Sequence, residues 1–185
     1  MPSRRLLPVT LLALALTACT STPAPQPPPS PTGRTPEEQT AISAATTQYK
    51  KSRAAYAAAL QHPATATRPA LEAAGMSGVW LDNAVDHAEY YRTHKIYRTG
   101  AATILSTEPI WISLTDPIPV VVLKTCLDHS TVTEHDPAKK TPPTPTTERD
   151  LVDARLIHLP TGWSLTYESR NPDTAQSRTP GHPIC

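Results

Sequence analysis

The chain contains no phenylalanine, only six glycines, and aromatic residues at just 5% of its length. A core built from it must rest mainly on Ala, Val, Leu and Ile. So few glycines leave little room for a phosphate-cradling loop, and no such loop is present. An excess of charge of one sign is also missing: 17 Lys and Arg face 16 Asp and Glu, for a net charge of +1. That balance argues against a nucleic-acid binder, which grips phosphate with a clear basic excess. No apolar run reaches the roughly 20 residues a membrane-spanning helix needs. Nor is there a Gly-x-Ser-x-Gly elbow for nucleophilic catalysis. What is plentiful is proline, 22 in a chain of 185 residues, and the prolines are clustered. The length suits one domain with one modest core.

The first nineteen residues read as an export signal. Arg4 and Arg5 supply a short positive start, and Leu6 to Ala18 is an almost uninterrupted apolar run, too short to span and so a signal h-region. It ends in Leu16-Thr17-Ala18-Cys19. These four residues resemble the bacterial lipobox, in which diacylglycerol is attached to the cysteine and cleavage falls just before it. The resemblance implies residues 1–18 as signal peptide, Cys19 as the lipidated residue, and a location on the extracytoplasmic face of a cell membrane. Ser3-Arg4-Arg5 also hints at twin-arginine export, although so short a start favours the general secretory route. Removing residues 1–18 takes away two arginines and leaves a net charge of about −1 by the same count. Acyl chains rather than charge would then hold the protein to lipid, and two chains give stable anchoring where one is marginal.

Three cysteines are odd for an exported protein until Cys19 is assigned to lipid. Cys126 and Cys185 remain, and a disulfide is the expectation in an oxidising compartment. Two free thiols or a metal site are the alternatives. The bridge would close a loop of about 60 residues, for which chain-entropy reasoning gives roughly 4 kcal/mol.

Residues 20–36 hold seven prolines among Ser, Thr and Gln. Together with Cys19 they form the expected linker, a polyproline II stalk reaching roughly 50 Å at about 3.1 Å per residue. The domain would be residues 37–185. Thr35-Pro36-Glu37-Glu38 starts a helix with Thr as N-cap and Glu three residues on. Ile42, Ala45, Tyr49, Ser52, Tyr56, Ala59 and Leu60 form its apolar face at helical spacing, with Lys50, Lys51 and Arg53 mostly off that face. His62-Pro63 ends it. A short helix fits residues 68–74, stopped by Gly75. A third fits Gly78 to His94, with Leu81, Ala84, Val85, Ala88 and Tyr91 inward.

From Lys95 the texture turns to strands. Residues 101–105 and 109–114 suggest one long strand interrupted near Pro109, and Val120 to Asp128 a strand buried on both faces in its first half. A polar hairpin loop is expected over 136–147, a strand over 151–159, a turn at Pro160-Thr161-Gly162, and a last strand over 163–169 with Trp163, Leu165 and Tyr167 alternating. Helices followed by an antiparallel meander form the α+β pattern in which helices pack on one face of a curved sheet.

That layout resembles the NTF2-like (cystatin-like) cone, and more narrowly the small secreted actinobacterial lipoproteins with that fold. The features carrying the resemblance are the long first helix with its tyrosines, the strand ending Thr125-Cys126-Leu127-Asp128, the Gly162-Trp163 strand start and the C-terminal Cys185. It implies a cone that either encloses a pocket or is filled. Members of the wider fold include isomerases, dehydratases and many non-catalytic adaptors, so the fold alone decides nothing about chemistry.

Candidate chemistry is sparse. Asp82 and Asp86 are one helical turn apart and read as a solvated stripe, while Asp86 and His87 point about 100° apart and form no dyad. Trp80, Tyr90 and Tyr91 read as packing. Asp128, His129 and His135 match no standard metal spacing, and the resemblance gives Asp128 a structural role near the bridge. His158, His182 and the Lys139-Lys140 pair read as surface. No cofactor and no nucleic-acid partner are expected. The favoured reading is a non-catalytic, membrane-tethered module that meets a protein or cell-wall partner. The alternative is a small-molecule pocket, or an isomerase or dehydratase type of enzyme. Trp111, Trp163, Tyr90 and Tyr91 would then line the pocket, with Asp128 or His87 as acid or base.

Overall fold

A computed structural model describes residues 33–140 and 149–170, those from Arg34 onward belonging to one compact unit. The leader, Cys19, the linker up to residue 32, most of the polar loop, and the tail with His182 and Cys185 lie outside the described residues.

Helix α1, Pro36–Gln61, begins at Thr35 with a full capping box: Thr35 Oγ1 accepts from Glu38 N, and Thr35 N donates to Glu38 Oε2. Such a cap satisfies two of the helix's otherwise orphaned donors. Ala45, Tyr49, Ser52, Ala59 and Leu60 are its buried residues. Helix α2, Arg68–Ala73, is a short brace, and helix α3, Gly78–His94, buries Leu81, Ala84, Ala88 and Tyr91. The apolar spacing of α1 and α3 thus becomes two stripes laid on a sheet.

The main sheet is antiparallel, in the order β2-β3-β5-β6, with β2 Thr103–Ser113, β3 Val120–Asp128, β5 Arg149–Leu159 and β6 Gly162–Arg170. Two three-residue strands, β1 Tyr97–Thr99 and β4 Thr133–His135, pair in a separate ribbon. Register breaks on β2 near Ile104 and Pro109, and between β5 and β6 at Arg155/Leu156, curve the sheet, because a bulge bends its strand and adds twist. The helices pack on the concave side. Val121, Leu123, Ala154, Leu156 and Leu165, none with any exposed surface, meet Ala45 and Tyr49 of α1 there. Residues 75–77 run along the free edge of β6, where Leu165 N donates to Gly75 O and Ser77 N to Leu165 O. The other edge, β2, carries Pro109, which offers no donor to a further strand.

The long strand expected across residues 101–114 is one strand, Thr103–Ser113. Two expectations change. Arg53, expected off the buried face, turns inward. On β6 the anticipated alternation breaks: Leu165 is fully buried and Tyr167 is 48% exposed. The cause is the extra residue Thr166 in the β5–β6 register. Leu165 pairs with Leu156, Tyr167 with outward Arg155, and Glu168 with inward Ala154. Glu168 therefore faces the helices. The β1–β4 ribbon is also additional to the expected elements, its strands being too short to show a period.

Candidate functional site

At one end of the concave face, α1, the start of α3, β1, β4, β5 and the ends of β3 and β6 line a cavity of about 480 Å³ that is open to solvent. Its apolar wall is Leu127, Val132 and Val152, with Tyr56 and Trp80 from the helices. The polar wall is three arginines, Arg53, Arg98 and Arg170, facing three carboxylates, Glu134, Asp150 and Glu168. A second chamber of about 340 Å³ adjoins it under α1, sharing Arg53, Tyr56, Arg98, His129 and Val132. Its remaining wall is mostly small and apolar, including Ala54, Ala57, Leu60, Ala101 and Ile104.

The innermost carboxylate is Glu168. Tyr49 Oη donates to its Oε2 at 2.9 Å and Arg53 Nη1 to its Oε1 at 2.9 Å. Only 13% of the Arg53 side chain and 6% of that of Glu168 are exposed. Burial raises the Glu168 carboxyl above the usual range, against the pull of Arg53 and the Tyr49 hydrogen bond. Burial first, and then the charge of Glu168, push the Tyr49 phenol upward too, so it stays a donor. The Arg53 guanidinium also lies over the rings of Tyr56 and Trp80, 5.6 Å and 5.9 Å from their centroids.

A second node is built on Glu134. Tyr91 Oη donates a short hydrogen bond to it, Arg98 Nη2 reaches the same oxygen at 3.2 Å, and Lys139 Nζ reaches the other at 3.2 Å. The Tyr91 bond leads the interactions that lower this carboxyl. A third node is Asp150, 3.1 Å from Arg170 Nη2 and 3.4 Å from His129 Nε2. Two buried donors, Trp80 Nε1 and Arg98 Nε, have no hydrogen-bond partner among the described residues.

The residues expected to line a pocket fall elsewhere. Trp111 pairs with Val122 on the outer face and is 47% exposed. Trp163 stands at the opposite end of the sheet, edge-on to His158. Tyr90 is exposed on the outer side of α3, packed on His94. Asp128 accepts from Ser130 N at 2.8 Å and lies 3.6 Å from Arg149 Nε, so it closes a turn and sits in no cavity wall. Only Tyr91 and His87 come near the cavity, as the layer behind it. Tyr91 holds Glu134, and His87 Nδ1 shares a 2.5 Å hydrogen bond with Tyr56 Oη. Burial lowers the His87 pKa, which favours the neutral ring. Asp82 pairs with Arg68 on the surface, as a solvated stripe should.

Cys126 is buried on β3 and is disulfide-bonded. Both other cysteines lie outside the described residues, so the identity of its partner belongs to the proposal below. Among the described residues, no group of three or more His, Cys, Asp or Glu is placed to hold a metal ion, and no helix is long and apolar enough to cross a membrane.

Sequence reasoning missed Arg53, Arg98, Glu134 and Glu168. For Arg53 a signal existed: it lies four residues after Tyr49 and three before Tyr56, spacings that put side chains side by side on a helix. Glu168 had none, because the register shift that turns it inward is a property of two paired strands.

No family model and no curated protein matches the chain. Among solved structures it is similar to the intermembrane space region of the chloroplast protein ARC6. The TM-score is 0.54 at 13% identity, over 70% of this chain and 95% of that one. At that identity the likeness shows the fold alone: helices packed against a curved antiparallel sheet.

Proposed function

We propose that the chain is a membrane-anchored extracytoplasmic lipoprotein whose NTF2-like domain is a non-catalytic binding module, with the cavity beside Glu168 as its binding site. The leader and Cys19 support the anchor, and the layout of helices on a concave four-stranded sheet supports the NTF2-like reading. The cavity carries the binding claim: it is of ligand size, partly apolar, and walled by charged groups already held in place. Each carboxylate is engaged by a cation, and both Glu168 oxygens accept hydrogen bonds, which suits fixed recognition better than proton transfer. Glu168 is nonetheless where an enzyme reading would start, since a raised carboxyl in a cavity is a common acid or base. The sulfur of Cys126 is proposed to pair with Cys185.

Two measurements test this. Globomycin, which blocks lipoprotein signal cleavage, should make the precursor accumulate; unchanged processing overturns the anchor. For the cavity, the probe is 1-anilinonaphthalene-8-sulfonate, compared between the full chain and its Val132→Trp variant. Val132 lines both the cavity beside Glu168 and the second chamber, so the fluorescence lost in the variant reports cavity binding and cancels binding to the leader or lipid. Equal fluorescence, with the variant folded by circular dichroism, would reject the binding module.

A further inference from the structure

On the outer face of the sheet, away from the Glu168 cavity, we propose a docking groove whose occupant is a second copy of this chain, related to the first by a twofold axis.

The groove, of about 870 Å³, crosses β3, β5 and β6 between two rims. One rim is the turn between β2 and β3, Asp116 to Ile118, and the other is the start of α3 at Val79. Arg155 and Ile157 of β5 and Tyr167 of β6 lie between them. Cross-strand pairing sets Trp111, Val122, Arg155 and Tyr167 in one row over all four strands, so the patch continues to β2. Val79, Ile118, Tyr167 and Trp111 are each about half exposed. Large apolar side chains scattered singly are ordinary, but a contiguous group on one face marks an interface.

Charge decides the occupant. Two of the residues lining the groove are charged, Arg155 between the rims and Asp116 on one of them. Neither has an ion-pair partner among the described residues. A groove with one free cation and one free anion is complementary to itself. In a twofold contact, residue i of one copy meets residue j of the other, and j meets i. Arg155 of each copy then faces Asp116 of the other, and both charges are matched. A purely acidic partner would instead repel Asp116, and a purely basic one would repel Arg155.

The apolar groups follow the same symmetry. Ile118 stands two residues after Asp116 on the same turn, so the turn that carries the anion also carries an apolar side chain into the groove of the other copy. A net charge of only +1 puts no strong repulsion between the copies.

The test is sedimentation equilibrium of the full chain in detergent micelles. The wild type should associate as a dimer. Arg155→Asp and Asp116→Arg should each weaken that dimer at least about tenfold, because each sets like charges face to face at two symmetric places. An equal mixture of the two variants should recover dimers, since every reversed charge again meets its opposite. Two chains sharing a micelle by chance would affect all samples alike and could not produce that recovery. Should a reversal fail to fold by circular dichroism, Ile118→Glu takes its place: a carboxylate driven into the apolar groove should likewise leave monomers. A wild type that stays monomeric at about 50 µM, a dimer indifferent to these variants, or a mixture of folded variants that stays monomeric would overturn the second copy as occupant.

Discussion

Arg53 and Glu168 are the residues on which the interior depends most. Both charges are nearly removed from water, and their pairing, with Tyr49 as a third member, offsets that desolvation. Breaking such a pair from one side leaves the other charge stranded and costs about 3–5 kcal/mol. Arg53→Met should therefore lower stability by about that amount in urea unfolding. The double variant Arg53→Met with Glu168→Gln should recover much of the loss, because no buried charge is left alone. Equal loss in both would show that packing, not pairing, is what Arg53 supplies.

His87 makes a second residue-level case. It is flanked by Tyr56, Tyr91 and Arg98, with Glu134 behind them. Burial leads the effects that hold its pKa below the usual 6.5, with Arg98 adding to the shift and Glu134 opposing it. A folded-state pKa below the unfolded one means that the unfolded chain takes up the proton first. The contribution of His87 to stability is thus complete above about pH 6.5 and is lost as pH falls toward its folded-state value. Glu168, raised, runs in the opposite sense, so the useful measure is a difference. Unfolding midpoints of wild type and His87→Gln, followed from pH 7.5 to 5, should converge as the pH drops. Parallel curves would mean that His87 does not titrate differently in the fold.

At the scale of elements, the helices were legible because each carries its own signals. The Thr35 capping box, the Gly75 stop and the spacing of Leu81, Ala84, Ala88 and Tyr91 all lie within one segment. Strand β3 was equally clear, since a run such as Val120 to Leu123 has few other uses. What did not show was anything requiring two segments at once. The extra residue at Thr166 is visible only against β5, yet it decides that Glu168 faces the cavity and Tyr167 the solvent. The pairing of β1 with β4 is likewise a meeting of two three-residue pieces. Most of the cavity wall comes from such meetings, which is why single-segment reasoning chose Trp111 and Trp163, conspicuous residues that the sheet carries elsewhere.

The loop after β1 is another two-segment feature. Gly100 has φ +73°, and a Cβ built there would lie 1.8 Å from the Thr131 carbonyl oxygen. The close approach brings the β1 loop against the turn after β3, and Gly100 itself lines the apolar chamber. Gly100→Ala must displace backbone rather than a flexible side chain, and should cost about 2 kcal/mol or more. Gly162→Ala provides the comparison: it also sits at positive φ, +113°, but meets nothing within 4 Å. Its loss should reflect backbone strain alone and be smaller in thermal unfolding. Equal losses would remove the clash from the explanation and leave only the left-handed backbone.

For the whole molecule, the anchor and the disulfide are one question. Cys126 is bonded through its sulfur, and the other two cysteines of the chain are Cys19 and Cys185. If Cys19 carries lipid on its thiol it cannot be the partner, so the proposed lipidation requires Cys126–Cys185. The sheet favours the same answer. Cys126 alternates with inward Thr125 and Leu127 and so faces the outer side, away from the helices. Strand β6 ends at Arg170, which pairs with Val152, itself paired with Thr125 beside Cys126. Two strand spacings, about 10 Å, separate that end from β3, a gap that residues 171–185 can cross several times over at about 3.3 Å per residue. Peptide mapping of the membrane-extracted protein without reductant should yield Cys126 and Cys185 in one linked peptide, with the Cys19 peptide carrying acyl mass. A Cys126–Cys19 link would overturn the pairing and the lipid anchor together, since one sulfur cannot serve both.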